Sequence, residues 1–288
     1  MRNINLVLNL FTVLAILAFS TLACQLPGNT SPPPSVGDTL FQGVTYSREV
    51  RTSPRPMVIH VVTIDLRAKG ISLFVTPGDP KRELPNDART TSQFLDEFGV
   101  QIAVNGDGFT PWSTNPLDPY PKPGEPVDPL GLAISNGETY SEPRDNVPVF
   151  YTSPAGKAQF NDPPNNIAYA ISGLEMIVIN GKVADGLDEE TEPRTAIGLN
   201  RASSKLILVV VDGRQPGYSE GATISELAAI LLDNGAHNAM NMDGGGSSTV
   251  VIEGENGQPL VLNSPIDGNV PGSERPVANH LGIFAKRK

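Results

Sequence analysis

Hydrophobic positions along the chain fall into three kinds of pattern. The first is a continuous apolar run from Leu6 to Phe19 behind the positive Arg2. It is too short to cross a bilayer comfortably and has the shape of an export-signal core. The second is alternation, or short β-branched blocks. These predict strands at 44–50, 57–66, 71–76 and 101–104, a weaker series between 132 and 160, and a strand at 167–179 broken at Ser172-Gly173. Further on they predict a hairpin pairing 194–200 with 205–211, then strands at 237–242, 249–252, 259–262 and 277–285. Residues 206–211 are apolar on both faces, which places that strand at the centre of a sheet. The third pattern has helical spacing. Phe94, Leu95 and Phe98 share a face over 91–98, and Gly99 ends that helix. Thr223-Ile224-Ser225-Glu226 is a capping box that opens a second helix, with Ile224, Leu227, Ala228 and Leu231 on one face and Gly235 beyond its end.

Composition sharpens this picture. A chain of 288 residues with 39% hydrophobic and 18% charged positions is globular, and its 28 glycines and 27 prolines imply many turns in a β-rich fold. Proline recurs from Pro111 to Pro129, which marks 110–129 as a lid, a binding loop or an insertion, with Trp112 and Tyr120 placed to stack on a sugar or to anchor the loop. A net charge of −10 argues against a nucleic-acid or anionic-membrane binder, while leaving room for a local basic pocket. Thr21-Leu22-Ala23-Cys24 resembles a bacterial lipobox. Residues 1–23 then form a lipoprotein-type signal peptide, Cys24 is the lipidation site, and 24–39 is a proline-rich tether ahead of a folded domain at 40–288. The alternative is simple secretion after Ala23. Either way the mature protein works outside the cytoplasm, and a lone cysteine excludes an intramolecular disulfide.

Candidate chemistry gathers where strands end. In Asn241-Met242-Asp243-Gly244-Gly245-Gly246-Ser247-Ser248 an acid precedes three glycines and two hydroxyls, and the flanking β-branched residues predict strand, tight turn, strand. The glycines allow positive φ and close approach to a ligand, and successive N–H groups with Ser247 and Ser248 can form an anion site. A plain hairpin with Asp243 capping its own turn is the alternative. Asn105-Gly106-Asp107-Gly108-Phe109 likewise sits where a strand becomes a loop. Glu175 lies among Met176, Ile177 and Val178, a setting that raises a carboxyl pKa, or else it occupies a surface position on an edge strand. Asp212-Gly213-Arg214 closes the central strand, where Asp212 and Arg214 would either pair with each other or contact substrate. His60, His237 and His280 are isolated and look like strand residues.

Taken together, Asn-Gly-Asp-Gly-Phe (105–109), Pro-Arg-Thr-Ala-Ile-Gly (193–198), Val-Asp-Gly-Arg (211–214), the capped helix, Asn-Met-Asp-Gly-Gly-Gly-Ser-Ser (241–248) and Glu-Arg-Pro-Val-Ala-Asn (274–279) resemble the phosphodiester glycosidase family, over about residues 40–286. The resemblance implies a single α+β domain with a curved mixed sheet and a few packed helices. It also implies hydrolysis of a sugar-1-phosphate diester, of the N-acetylglucosamine-1-phosphodiester type, in extracellular or cell-wall glycans or exopolysaccharide. Asp243, Asp107 and Glu175 are then the candidate nucleophile or general base. Arg194, Arg275, the Gly244–Gly246 backbone, Ser247 and Ser248 would cradle the phosphate, whose departure makes charge neutralisation more important than acid help. Asn105, Thr195, Asp212, Arg214 and Asn279 complete the substrate-binding set. No cofactor is required. A rival reading has Asp107, Asp212 and Asp243 bind Ca²⁺ or Mg²⁺ for P–O cleavage, and a third has the domain bind phosphorylated glycan without cutting it.

Overall fold

The computed structural model describes residues 38–111 and 121–288, which fall within one compact unit. The export signal, Cys24, the tether up to residue 37, Trp112 and Tyr120 lie outside the described residues. The largest sheet has eight strands in the spatial order Asp38–Phe41, Val44–Arg51, Met57–Asp65, Lys205–Val211, Arg194–Leu199, Asn238–Asn241, Glu175–Ile179 and Lys182–Val183. Lys205–Val211 lies in its middle and is buried from Leu206 onward, as its two apolar faces require. A second sheet holds Glu138–Ser141, Ala133–Ser135, Tyr169–Ser172, Val149–Thr152 and Ala158–Phe160. The third runs Pro259–Val261, Val250–Glu253, Ile102–Asn105, His280–Phe284 and Ser72–Val75.

Alternation decides which face each strand buries. In Arg194–Leu199 the side chains of Ile197 and Leu199 join Leu206, Leu208 and Val210 in a core shared with Ile102, Val104, Val250, Leu281 and Ile283 of the third sheet. Ala196, Ile207, Val209 and Val211 face the other way, onto Ile224, Leu227, Ala228 and Leu231 of the helix Ile224–Asp233 (α2). The helix Thr91–Phe98 (α1) covers the far side of the third sheet through Phe94 and Leu95 against Ala103 and Val251. The result is a helix–sheet–sheet–helix stack, with the second sheet extending the shared core through Phe150 and Ile171. Each large side chain fully buried there contributes about 1.5–3 kcal/mol. Both helices start on a capping box, the one at Thr223 as its sequence announces. Gln93 N–H donates to Thr90 Oγ1 at 3.1 Å and Thr90 N–H to Gln93 Oε1 at 3.0 Å; Glu226 N–H donates to Thr223 Oγ1 at 3.1 Å and Thr223 N–H to Glu226 Oε2 at 2.9 Å.

Three expectations are corrected. Instead of one mixed sheet there are several, and every pairing between these strands is antiparallel. The reason lies in the connections: α2 joins Lys205–Val211 to Asn238–Asn241, which flank Arg194–Leu199 on either side and so run parallel without pairing. The stretch 167–179 is two strands in different sheets, divided at Gly173, where a side chain would strike Met240 and the Asn241 carbonyl. The glycine turn is not a hairpin either. Asn238–Asn241 belongs to the eight-stranded sheet and Val250–Glu253 to the third, with a 3₁₀ turn, Gly245–Ser247, between them.

Candidate active site

The site forms where the chain crosses from one sheet to the other. Asn105, fully buried at the end of Ile102–Asn105, fastens the crossing. Its Nδ2 donates to the Asp243 carbonyl at 2.8 Å, while Oδ1 accepts from Thr195 Oγ1 at 2.8 Å and from Thr249 N–H at 3.2 Å. Asp243 N–H donates to the Gly106 carbonyl at 3.0 Å, and Asp107 N–H to Asn279 Oδ1 at 2.9 Å. Asn105, Thr195 and the Asn279 carbonyl side therefore hold the site together from within; the sequence reading had them contact substrate directly.

The two acids at this junction differ in their surroundings. Asp107 is 1% exposed, and the donors that approach its carboxylate are the backbone N–H groups of Gly108 and Gly131. Burial pushes its pKa up to about 7; the N–H groups of Gly108 and Gly131 temper the rise and the charge of Asp243 adds to it. Asp243 is also pushed up by burial, against the pull of Ser247, the Arg275 guanidinium and its bond from Gly244 N–H at 2.9 Å. Next to Ser247 in the chain lie two more buried hydroxyls, those of Ser248 and Thr249, which have no partners. Buried polar groups are normally satisfied, so this concentration of unmade bonds marks a place shaped for a polar ligand.

Two of the three glycines of the turn face a guanidinium, while a Cβ on Gly244 would meet the Pro193 carbonyl at 2.9 Å. A Cβ on Gly246 would stand 2.5 Å from Arg275 Nη2, one on Gly245 3.1 Å from Arg214 Nη2, and one on Gly244 3.9 Å from Arg194 Cδ. Gly245 also has φ +58°, which only glycine adopts without strain. Acidic partners orient two of these guanidiniums: Arg275 Nε donates to Asp267 Oδ1 at 2.7 Å and Arg214 Nε to Glu192 Oε2 at 2.5 Å. Arg214 itself holds φ +56°, an uncommon backbone for a non-glycine residue that aims its side chain over the turn.

Three sequence assignments change here. Arg194 presents only its stem to the turn; its guanidinium donates to the carbonyls of Ala222 at 3.1 Å and Glu190 at 2.7 Å. Arg214, not Arg194, joins Arg275 at the cradle. Asp212 does not pair with Arg214: it is bonded to His60 Nε2 at 3.2 Å, Tyr218 Oη at 2.9 Å, Asn263 Nδ2 at 3.1 Å and Ser264 N–H at 2.8 Å. Glu175 is half-buried and paired across from Asn241, on the opposite pleat from Met176 of the shared core. Its charge acts on the Arg194 guanidinium. Nor do the three aspartates gather; among the described residues no group of three or more His, Cys, Asp or Glu is arranged to hold a metal. His60 and His280 are buried strand residues as expected, but His237 precedes its strand. Tyr140, Gly131 and Asp267 escaped notice because they come from segments with no motif; only the fold brings them to Asp107 and Arg275.

A buried aspartate and a half-buried one beside a glycine turn flanked by arginines equip a hydrolase for a substrate carrying an anionic group. Comparison with known proteins narrows this. Residues 98–284 match the family described as phosphodiester glycosidase, and the chain belongs to that family of enzymes. It is 27% identical over 196 residues to the N-acetylglucosamine-1-phosphodiester alpha-N-acetylglucosaminidase of Bos taurus, covering 62% of this chain and 36% of that protein. It is 41% identical over 91 residues to an uncharacterized prophage-derived protein of Bacillus subtilis (strain 168), covering 32% of this chain and 12% of that one. The chain thus spans only about a third, or less, of these relatives. The catalytic domain of the zebrafish N-acetylglucosamine-1-phosphodiester alpha-N-acetylglucosaminidase, auto-inhibited by its pro-peptide, shares the fold, with a TM-score of 0.60, 21% identity and coverage of 91% and 92% of the two chains.

Proposed function

We propose that this enzyme hydrolyses the glycosidic C–O bond of a sugar-1-phosphate diester, of the N-acetylglucosamine-1-phosphodiester type, in glycans outside the cytoplasm. One observation carries the reading: Asp243 opens a turn whose glycines lie under the Arg214 and Arg275 guanidiniums, so a carboxylate and a phosphate cradle are built into a single loop. The two arginines and the turn neutralise the phosphate as the anomeric C–O bond breaks and the phosphomonoester leaves with the bonding electrons. The Asp243 carboxylate supports the oxocarbenium-like sugar, and water supplies the new anomeric hydroxyl. Asp107, protonated below about pH 7, gives its proton to the departing oxygen and regains one from the water that adds to the anomeric carbon.

Turnover of methyl N-acetylglucosamine-1-phosphate in ¹⁸O-water tests this directly. Label is expected in the free sugar, with EDTA without effect, and Asp243→Asn is expected to lower kcat by roughly 10³-fold while the fold persists. Label in the phosphate, together with EDTA sensitivity, would establish metal-assisted P–O cleavage instead. The lipobox-like Thr21-Leu22-Ala23-Cys24 supports a lipid anchor. Cys24→Ala is then expected to move the enzyme from the membrane fraction to the medium.

A further inference from the structure

We propose that Asp212 is a positioning residue that sets the phosphate cradle through two hydrogen-bonded arms; this rests on the cradle reading given above. Asp212 is 1% exposed at the end of the central strand. Burial presses its carboxyl upward, yet His60, the Ser264 N–H and the Tyr218 hydroxyl outweigh this and hold it below the usual carboxylate range, as a fixed anion. His60 is in turn fixed by the Tyr46 hydroxyl, 2.8 Å from Nδ1.

The first arm runs through Asn263. Its Nδ2 donates to Asp212 Oδ1 at 3.1 Å and to the Ser248 carbonyl at 2.9 Å, and its Oδ1 accepts from Val250 N–H at 2.9 Å. Asn263 thereby grips the exit of the glycine turn on both sides of Thr249. The second arm starts at Ser264, whose N–H donates to Asp212 Oδ1 at 2.8 Å. Gln215 locks Ser264 in place with bonds of 2.9 Å to both its carbonyl and its hydroxyl. Three residues on, Asp267 receives Arg275 Nε at 2.7 Å, and that guanidinium covers Gly246. One carboxylate thus governs both the exit of the glycine turn and the arginine above it. A residue acting this way changes affinity for the anion more than it changes chemistry.

The test is inorganic phosphate binding by titration calorimetry, with KM and kcat for the diester alongside, on the full chain. The variants are Asn263→Ala and Asp212→Asn. Leu231→Ala, on the α2 side of the eight-stranded sheet, controls for lost stability alone. The expected result is phosphate binding weakened at least tenfold in both arm variants, with KM raised in step, kcat changed less than threefold, and Leu231→Ala unmoved. Should both variants bind phosphate as tightly as the wild type, the positioning role is overturned and the cradle stands. A wild-type chain that binds no phosphate overturns both.

Discussion

At the scale of single residues, Asp107 makes the sharpest claim. A buried carboxyl favours its neutral form, and its pKa of about 7 in the fold lies well above the value near 3.9 that an unfolded chain would give. Below pH 4 both states hold the proton and pH has no effect. Between 4 and 7 the unfolded chain releases it and the folded one does not, so stability falls with rising pH, then levels off. Asp107→Asn removes that loss. Its Tm is expected to exceed the wild type by at least about 3 °C at pH 8 and to match it near pH 4, measured by calorimetry. Two glycines make a complementary pair. A methyl on Gly246 meets the movable end of Arg275, whereas one on Gly106 meets the Asn279 amide oxygen at 2.1 Å and its carbonyl at 2.7 Å. Gly246→Ala is expected to raise KM with Tm within a few degrees of wild type, and Gly106→Ala to unfold the protein at lower temperature.

At the scale of elements, the sequence was readable wherever the signal is local. The span Thr91–Phe98 and the αL glycine behind it follow from three aromatic or aliphatic positions and Gly99, and the α2 box follows from Thr223 and Glu226. The hairpin Arg194–Leu199 with Lys205–Val211 was equally plain, because register is set by a short turn and a continuous apolar run. What stayed hidden was which sheet each strand joins. Val250 and Val251 look alike whether they fold back on Met240 or cross to Ile102, and pairing at such separation leaves no local mark. The same holds for the site: Asp107 and Asp243 could be named from motifs, but the exchange of Arg194 for Arg214 depends on a carbonyl of Ala222 that no motif reveals. For the caps, Thr223→Ala is expected to cost about 1 kcal/mol in urea unfolding, because it frees the Glu226 N–H at the start of a helix that closes one face of the large sheet.

At the scale of the whole molecule, two packed sheets contribute to one site. Asp243 leaves the eight-stranded sheet, while Asn105 and Asn279 end or precede strands of the third. Ile197→Ala, in the core between these sheets, and Leu231→Ala, on the sheet-facing side of α2, should each cost about 2–5 kcal/mol. Only the first is expected to lower kcat in the folded enzyme, measured where both variants remain native by circular dichroism. The crossing of the glycine turn from sheet to sheet has a consequence for how such an enzyme changes over time. Asp107 follows a strand of the third sheet and Asp243 a strand of the eight-stranded sheet, so exchanging one aliphatic residue for another in the apolar layer between those sheets shifts the two acids relative to each other, with every polar residue of the site left as it was.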